Sequence, residues 1–122
     1  MKWVDTHTHF DAPEFDSDRA NDWAQARALG VALQVIPAVA PFNFDVVRTL
    51  AHQYEGSAYA LGIHPMYVMD LPREAAIVQL RTAVEHAMSD VRFVALGEIG
   101  LDGFVTNVDW DTQVWFFREQ LR

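Results

Sequence analysis

Two histidines near the N-terminus, His7 and His9, are separated by a single residue and follow a short apolar segment. If residues 4–11 begin as a β-strand, alternate side chains point to one side, and both imidazoles can bind one cation. Asp5 has the same parity, and we expect its carboxylate to accept the second ring N–H of a ligating histidine and fix its tautomer. A pair of surface histidines at a strand end is the alternative interpretation.

A glutamate between two glycines, Glu98, follows another apolar segment late in the chain, where Gly97 and Gly100 allow a tight turn. Such a segment alone is weak evidence. Together with His7 and His9 on the same sheet, Glu98 completes a set of nitrogen and oxygen ligands that suits Zn, Mn, Fe or Mg. We therefore predict a metal site at these three residues.

The remaining histidines divide into two groups. His64 follows the third apolar strand, and three roles stay open for it: binding metal, orienting a substrate phosphate, or capping the strand before Pro65. His52 and His86 fall within predicted helices away from strand ends, which indicates surface positions. No Ser-His-Asp arrangement and no phosphate-cradling glycine loop is visible.

Short apolar strands alternate with amphipathic helices along the chain, and the strand ends at His7, Ile36, His64 and Glu98 recur roughly every 30 residues, the size of a strand–helix unit. Alternation of this kind predicts an α/β fold with a parallel sheet and right-handed crossovers, whose site lies at the carboxyl ends of the strands. Four units make half of an eight-unit barrel. The first predicted strand begins at Val4, and the other three cover residues 31–36, 58–63 and 91–96. The predicted helices cover residues 18–29, 43–54, 71–88 and 111–122.

Composition limits the function classes. The chain has 122 residues, 51% of them hydrophobic, and no cysteine, which excludes disulfides and thiolate metal sites. A formal net charge of −8 argues against broad electrostatic binding to nucleic acid, although bound divalent metals can supply local positive charge. The sequence contains no apolar run of the roughly 20 residues needed to cross a bilayer, so we expect a cytoplasmic protein with no membrane partner.

Four segments carry a family resemblance: Val-Asp-Thr-His-Thr-His-Phe-Asp at 4–11, Leu-Gly-Ile-His-Pro at 61–65, Gly-Glu-Ile-Gly-Leu-Asp at 97–102, and Gln113 followed by Phe-Arg-Glu-Gln-Leu at 117–121. Together they resemble the N-terminal half of a TatD-type metal-dependent hydrolase, of the TatD DNase family. The resemblance implies a TIM-like barrel with one to three divalent metal ions (Mg, Mn or Zn) at its C-terminal face, hydrolysing phosphodiester bonds in DNA. It also implies that His7 and His9 bind metal, that Glu98 is the catalytic carboxylate shared between metals, and that His64 lies near substrate.

The second half of that family supplies two further histidine ligands and a late aspartate, and none of them occurs here. We therefore expect residues 1–122 to form a (βα)4 half-barrel with little or no nuclease activity on its own. A homodimer that completes the barrel, with strand four of each copy beside strand one of the other, is one hypothesis; a fragment of a longer protein is the simpler one. Two other functions stay open: hydrolysis of amide or phosphomonoester bonds, and a non-catalytic metal-binding or interaction module.

Overall fold

The computed structural model describes residues 1–107 and 109–122, in which four strands alternate with four α-helices. Short 3-10 helices at Pro13–Phe15, Pro41–Asn43 and Pro65–Asp70 add turns within the connections. Within the described residues, no helix has the length and apolarity needed to cross a membrane. The elements are β1 (Trp3–Asp5), α1 (Arg19–Ala28), β2 (Val31–Pro37), α2 (Phe44–Gln53), β3 (Ser57–Leu61), α3 (Arg73–Ala87), β4 (Phe93–Leu96) and α4 (Trp110–Gln120).

The four strands form one parallel sheet in the order β1-β2-β3-β4, which confirms the predicted α/β class. Each strand pairs with the next one along the chain, and the order never reverses. A doubly wound sheet would reverse, whereas a barrel adds its strands in sequence. The carboxyl ends of all four strands consequently meet at one edge, where the polar residues of the sequence analysis follow them.

The core lies between the sheet and the helices that cover it. All five residues of β3 are buried, as expected for a central strand, and α1 is tied to the turn before β3 by the Trp23 indole, which donates to the Glu55 carbonyl at 3.0 Å. Burial of these apolar side chains is the main force that holds the units together. The buried members of this core include Phe10, Trp23, Ile36, Val47, Leu50, Tyr59, Leu61, Ile77, Leu80 and Phe116.

The two edges of the sheet carry exposed apolar side chains. Trp3 and Val4 on β1 are 57% and 59% exposed, and Val94 on β4 is 53% exposed. Edge strands also present main-chain groups that can pair with a further strand. The outer sides of β1 and β4 are therefore the surfaces that additional strands would cover.

β1 is shorter than the sequence predicts, because it ends at Asp5 and leaves His7 and His9 in the segment beyond it. The carboxylate of Asp5 accepts the main-chain N–H of His7 at 3.1 Å, a local contact that competes with regular strand pairing. The segment still follows the sheet, since the Thr8 N–H donates to the Val35 carbonyl on β2 at 3.0 Å.

Candidate metal centre

Glu98 and the two N-terminal histidines converge at the carboxyl edge of the sheet, although 89 residues or more separate them along the chain. Oε2 of Glu98 lies 3.1 Å from Nε2 of His7 and 3.3 Å from Nε2 of His9. The two imidazole rings stand edge to face, with centroids 5.2 Å apart. One ligand atom from each of these residues lies within 4.8 Å of the others, so the predicted set is brought together.

The geometry of this cluster fits a cation better than a hydrogen-bonded ion pair. Oε2 of Glu98 is buried and has no hydrogen-bond partner among the described residues, despite its short distances to two ring nitrogens. Nitrogen and oxygen ligands that share one ion at about 2.0 to 2.2 Å are separated by about 3.0 to 3.6 Å in octahedral or tetrahedral arrangements. The observed spacings fall in that range, and an ion between the three atoms would satisfy the orphaned oxygen.

His64 contacts the other oxygen of the same carboxylate. Its Nε2 lies 3.3 Å from Oε1 of Glu98, and its Nδ1 accepts the main-chain N–H of Met66 at 3.1 Å. An imidazole whose Nδ1 accepts carries its proton on Nε2 when neutral, which makes Nε2 a donor and not a metal ligand. His64 stands directly before the 3-10 helix Pro65–Asp70, and the contact with Met66 caps that helix. Of the roles left open by the sequence, this contact is closest to capping, and the phosphate-orienting role stays a prediction.

Asp5 does not make the predicted contact with an imidazole ring. Its carboxylate holds the His7 main-chain N–H instead, because the strand ends at Asp5 and the backbone amide two residues on is within easy reach. Asp5 therefore stabilises the segment that carries the histidines. A contribution of Asp5 to the tautomer of a histidine stays a prediction.

A different carboxylate, Asp11, lies beside the ring nitrogen that sequence reasoning had assigned to Asp5. Oδ1 of Asp11 is buried without a hydrogen-bond partner and lies 4.0 Å from Nδ1 of His9, and Oδ2 accepts from the Asn43 side chain at 2.9 Å. Asn43 stands at the N-cap position of α2, and its Oδ1 accepts the main-chain N–H groups of Val39 and Ala40 rather than one from the helix. The parity that Asp11 shares with His9 was the available signal.

Gly62 lets the end of β4 approach β3 closely. A Cβ atom at Gly62 would lie 2.6 Å from the main-chain carbon of Gly97 and 2.9 Å from the nitrogen of Glu98. The main chain of Gly97 and Glu98 therefore packs directly against Gly62. By contrast, a Cβ at Gly97 would meet only Ala60, at 4.0 Å, so the close approach depends on Gly62.

Two buried glutamines of α4 hold the strand-end loops. Gln120 accepts the N–H of Ile63 at 2.7 Å and donates to its carbonyl at 3.1 Å, directly before His64. Gln113 makes the same pair of contacts with the main chain of Asp102, at 2.8 and 3.0 Å. Their side chains therefore position the site.

His52 and His86 are exposed, as predicted, and neither lies in the cluster around Glu98. His52 contacts Asp90 at 2.8 Å near a cavity of about 440 Å³ between α2 and α3, which shares no lining residue with the cavity at Glu98.

Burial opposes ionisation of Asp90, but hydrogen bonds from His52, the Arg92 N–H and Tyr59 together lower its pKa to about 2. Burial, the hydrogen bond to Asp90 and its negative charge raise the pKa of Tyr59 to about 12.

Parallel βα units with two imidazoles and a carboxylate at their carboxyl ends are an architecture of metal-dependent hydrolases. A family model described as TatD related DNase matches residues 4–122, and the chain belongs to this family. Its four βα units correspond to part of a TIM barrel: the crystal structure of YJJV, a TatD homolog from Escherichia coli K12, superimposes with a TM-score of 0.87 at 36% identity, covering 98% of this chain and 45% of that one.

Curated relatives include metal-dependent hydrolases and nucleases by name. The uncharacterized metal-dependent hydrolase YjjV of Escherichia coli K12 is 36% identical over 121 residues, which are 99% of this chain and 46% of that protein. The human deoxyribonuclease TATDN3 is 31% identical over 81% of this chain and 38% of its own. The 3'-5' ssDNA/RNA exonuclease TatD of Cronobacter sakazakii is 33% identical over 89% of this chain and 40% of its own length. The chain thus spans less than half the length of these relatives.

Proposed function

We propose that this chain forms part of the divalent-metal site of a hydrolase that cleaves phosphodiester bonds in DNA. The ion, which can be Mg, Mn or Zn, would be held by His7, His9 and Glu98. The observation that carries the proposal is the orphaned Oε2 of Glu98, which lies at ligand-to-ligand distance from two imidazole nitrogens. The names of the relatives support the substrate class.

A divalent ion bound here supplies a Lewis acid for a phosphoryl oxygen and lowers the pKa of a bound water. The chain's own residues would orient the ion and the phosphate. Glu98 would present Oε2 to the ion, while its Oε1 lies 3.3 Å from Nε2 of His64, so that one carboxylate would link the metal position to the neighbouring histidine. We expect His64, which lines the adjacent cavity, to turn its Nε2–H from Oε1 of Glu98 to a phosphate oxygen that enters there.

We further propose that residues 1–122 are the N-terminal half of the catalytic domain. The remaining metal ligands would then come from a following half of the chain or from a second copy across the edges of β1 and β4. A cytoplasmic location stays a prediction from the sequence.

Metal binding tests the site directly. Isothermal titration with Mn²⁺ and Zn²⁺ should show that Glu98→Gln weakens binding by more than the roughly 10- to 100-fold that loss of a supporting contact costs. His86→Gln, at an exposed histidine away from the cluster, serves as the matched control and should bind like the wild type. Equal affinities for Glu98→Gln and the wild type would contradict the assignment.

Hydrolysis assays test the substrate class and the half-barrel proposal. With Mg²⁺ or Mn²⁺, the 122-residue chain should cleave DNA little or not at all, and robust, chelator-sensitive turnover would contradict the need for further ligands. A longer chain that includes the second half should prefer DNA. Preference for phosphomonoester or amide substrates would favour a related hydrolase, and tight metal binding without any hydrolysis would favour a non-catalytic module.

A further inference from the structure

The cavity beside the metal cluster has an aromatic wall that the proposed chemistry does not use. It measures about 450 Å³ and is lined by His9, His64 and Glu98 on one side and by Phe42 and Tyr67 on another. This volume lies within the range of small-molecule sites. A molecule held by an ion at Glu98 can therefore extend towards these two rings.

Phe42 and Tyr67 come from different connections and meet at the cavity. Phe42 lies in the 3-10 helix before α2, and Tyr67 lies in the 3-10 helix after β3. Their ring centroids are 5.6 Å apart at an interplanar angle of 61°. Phe42 is nevertheless 68% exposed and Tyr67 is 37% exposed. Single exposed apolar residues are common, but two adjacent aromatic rings that open on one cavity indicate a binding surface.

The aromatic pair is continuous with the metal cluster. The Tyr67 ring lies 6.3 Å from the His64 ring, centroid to centroid, and Nε2 of His64 lies 3.3 Å from Glu98. A phosphate at the metal position can therefore place an attached group over the aromatic pair.

We propose that Phe42 and Tyr67 form a stacking platform for the nucleobase attached to the phosphate that is bound at the metal centre. The inference rests on the proposed function and adds two residues to its site, Phe42 and Tyr67. A base can reach their rings only when it is unstacked and unpaired. The platform thus selects single-stranded nucleic acid or a strand end. It should not distinguish strongly among bases, since every base offers a π-face.

The charges around the cavity favour a base over other aromatic-binding groups at this wall. Of the described residues that line the cavity, Asp11 and Glu98 are acidic and none is Lys or Arg. A second phosphate would meet no cation at the aromatic wall, whereas an uncharged planar base gains contact with both rings. Val46 and Met66 add apolar surface beside them.

A matched pair of ligands isolates the base. In NMR titrations of the Mg²⁺-loaded 122-residue chain, thymidine 5′-monophosphate should bind about 5- to 150-fold more tightly than 2-deoxyribose 5-phosphate, the typical effect of stacking one base. Phe42→Ala and Tyr67→Ala should each reduce this ratio several-fold without weakening the base-free ligand. Phe42→Trp and Tyr67→Phe keep an aromatic face and should retain the ratio.

Phe104→Ala is the control, because Phe104 is 95% exposed and does not line the cavity. A ratio near one in the wild type, an unchanged ratio in both alanine variants of the platform, or an equal reduction in Phe104→Ala would overturn the proposal. Thymidine separates it from the proposed function. If Mg²⁺ changes the affinity of neither phosphate-containing ligand but thymidine binds through Phe42 and Tyr67, the platform is supported and the phosphoryl site is not. If thymidine also fails to bind, both proposals fail.

Discussion

Gly62→Ala should damage metal binding more than it damages the fold. The added Cβ would lie 2.6 Å from the main-chain carbon of Gly97, whereas carbon atoms pack at about 3.5 Å or more. Relief of this contact moves the Gly97–Glu98 main chain by about 0.9 Å, the difference between the two distances. Metal ligands tolerate errors of only about 0.2 Å, so we expect metal affinity to fall by at least about tenfold. Overpacking of this kind costs about 1 to 3 kcal/mol of stability.

The assay combines isothermal titration with Mn²⁺ or Zn²⁺ and urea denaturation of the metal-free protein. Gly103→Ala is the matched control, because a Cβ there meets no atom within 4 Å. It should bind metal like the wild type, with a stability change below about 1 kcal/mol. Wild-type metal affinity in Gly62→Ala would refute the conclusion that this close approach positions Glu98.

Three further predictions follow from the contacts. Gln120→Leu should lower the free energy of unfolding by roughly 2 to 5 kcal/mol, since the buried N–H and carbonyl of Ile63 both lose their partner, whereas Gln53→Leu on the exposed end of α2 should change it little. The depressed pKa of Asp90, about 2 against the usual 3.8, contributes stability that is present above about pH 4 and lost as pH falls through 2, so Asp90→Asn should flatten urea-denaturation midpoints across that window. The homodimer hypothesis predicts twice the monomer mass in light scattering at micromolar concentration, and a stable monomer would contradict it.

Local patterns were sufficient for the fold class. Branched apolar runs that alternate with helical periodicity predict parallel strands with crossover helices, and Gly30, with φ of 103°, ends α1 where the sequence places it. These features depend on neighbours within a few residues. The same holds for the His7 and His9 pair, whose spacing brings both imidazoles to one side.

The contacts that shape the site could not be predicted in this way, because they join residues far apart in the chain. The clamp of Gln120 on Ile63 spans 57 residues, and the bond from Asn43 to Asp11 spans 32. The sequence around a buried carboxylate or amide does not identify which of many possible hydrogen-bond partners its side chain will contact. Only packing decides which one it meets: Asp5 accepts the main-chain N–H of His7, and Asp11 accepts from the side chain of Asn43.

The sequence alone therefore determined the order of the elements, the edge of the sheet that carries the chemistry, and the residue types available there. Tertiary structure decided that Oε2 of Glu98 lies 3.1 Å from His7 with no hydrogen bond, and that the main chain before it packs on Gly62. The physical reason is that periodicity and turn preference act along the chain. Ligand geometry depends on the distance between β1 and β4, and packing across the whole sheet sets that distance.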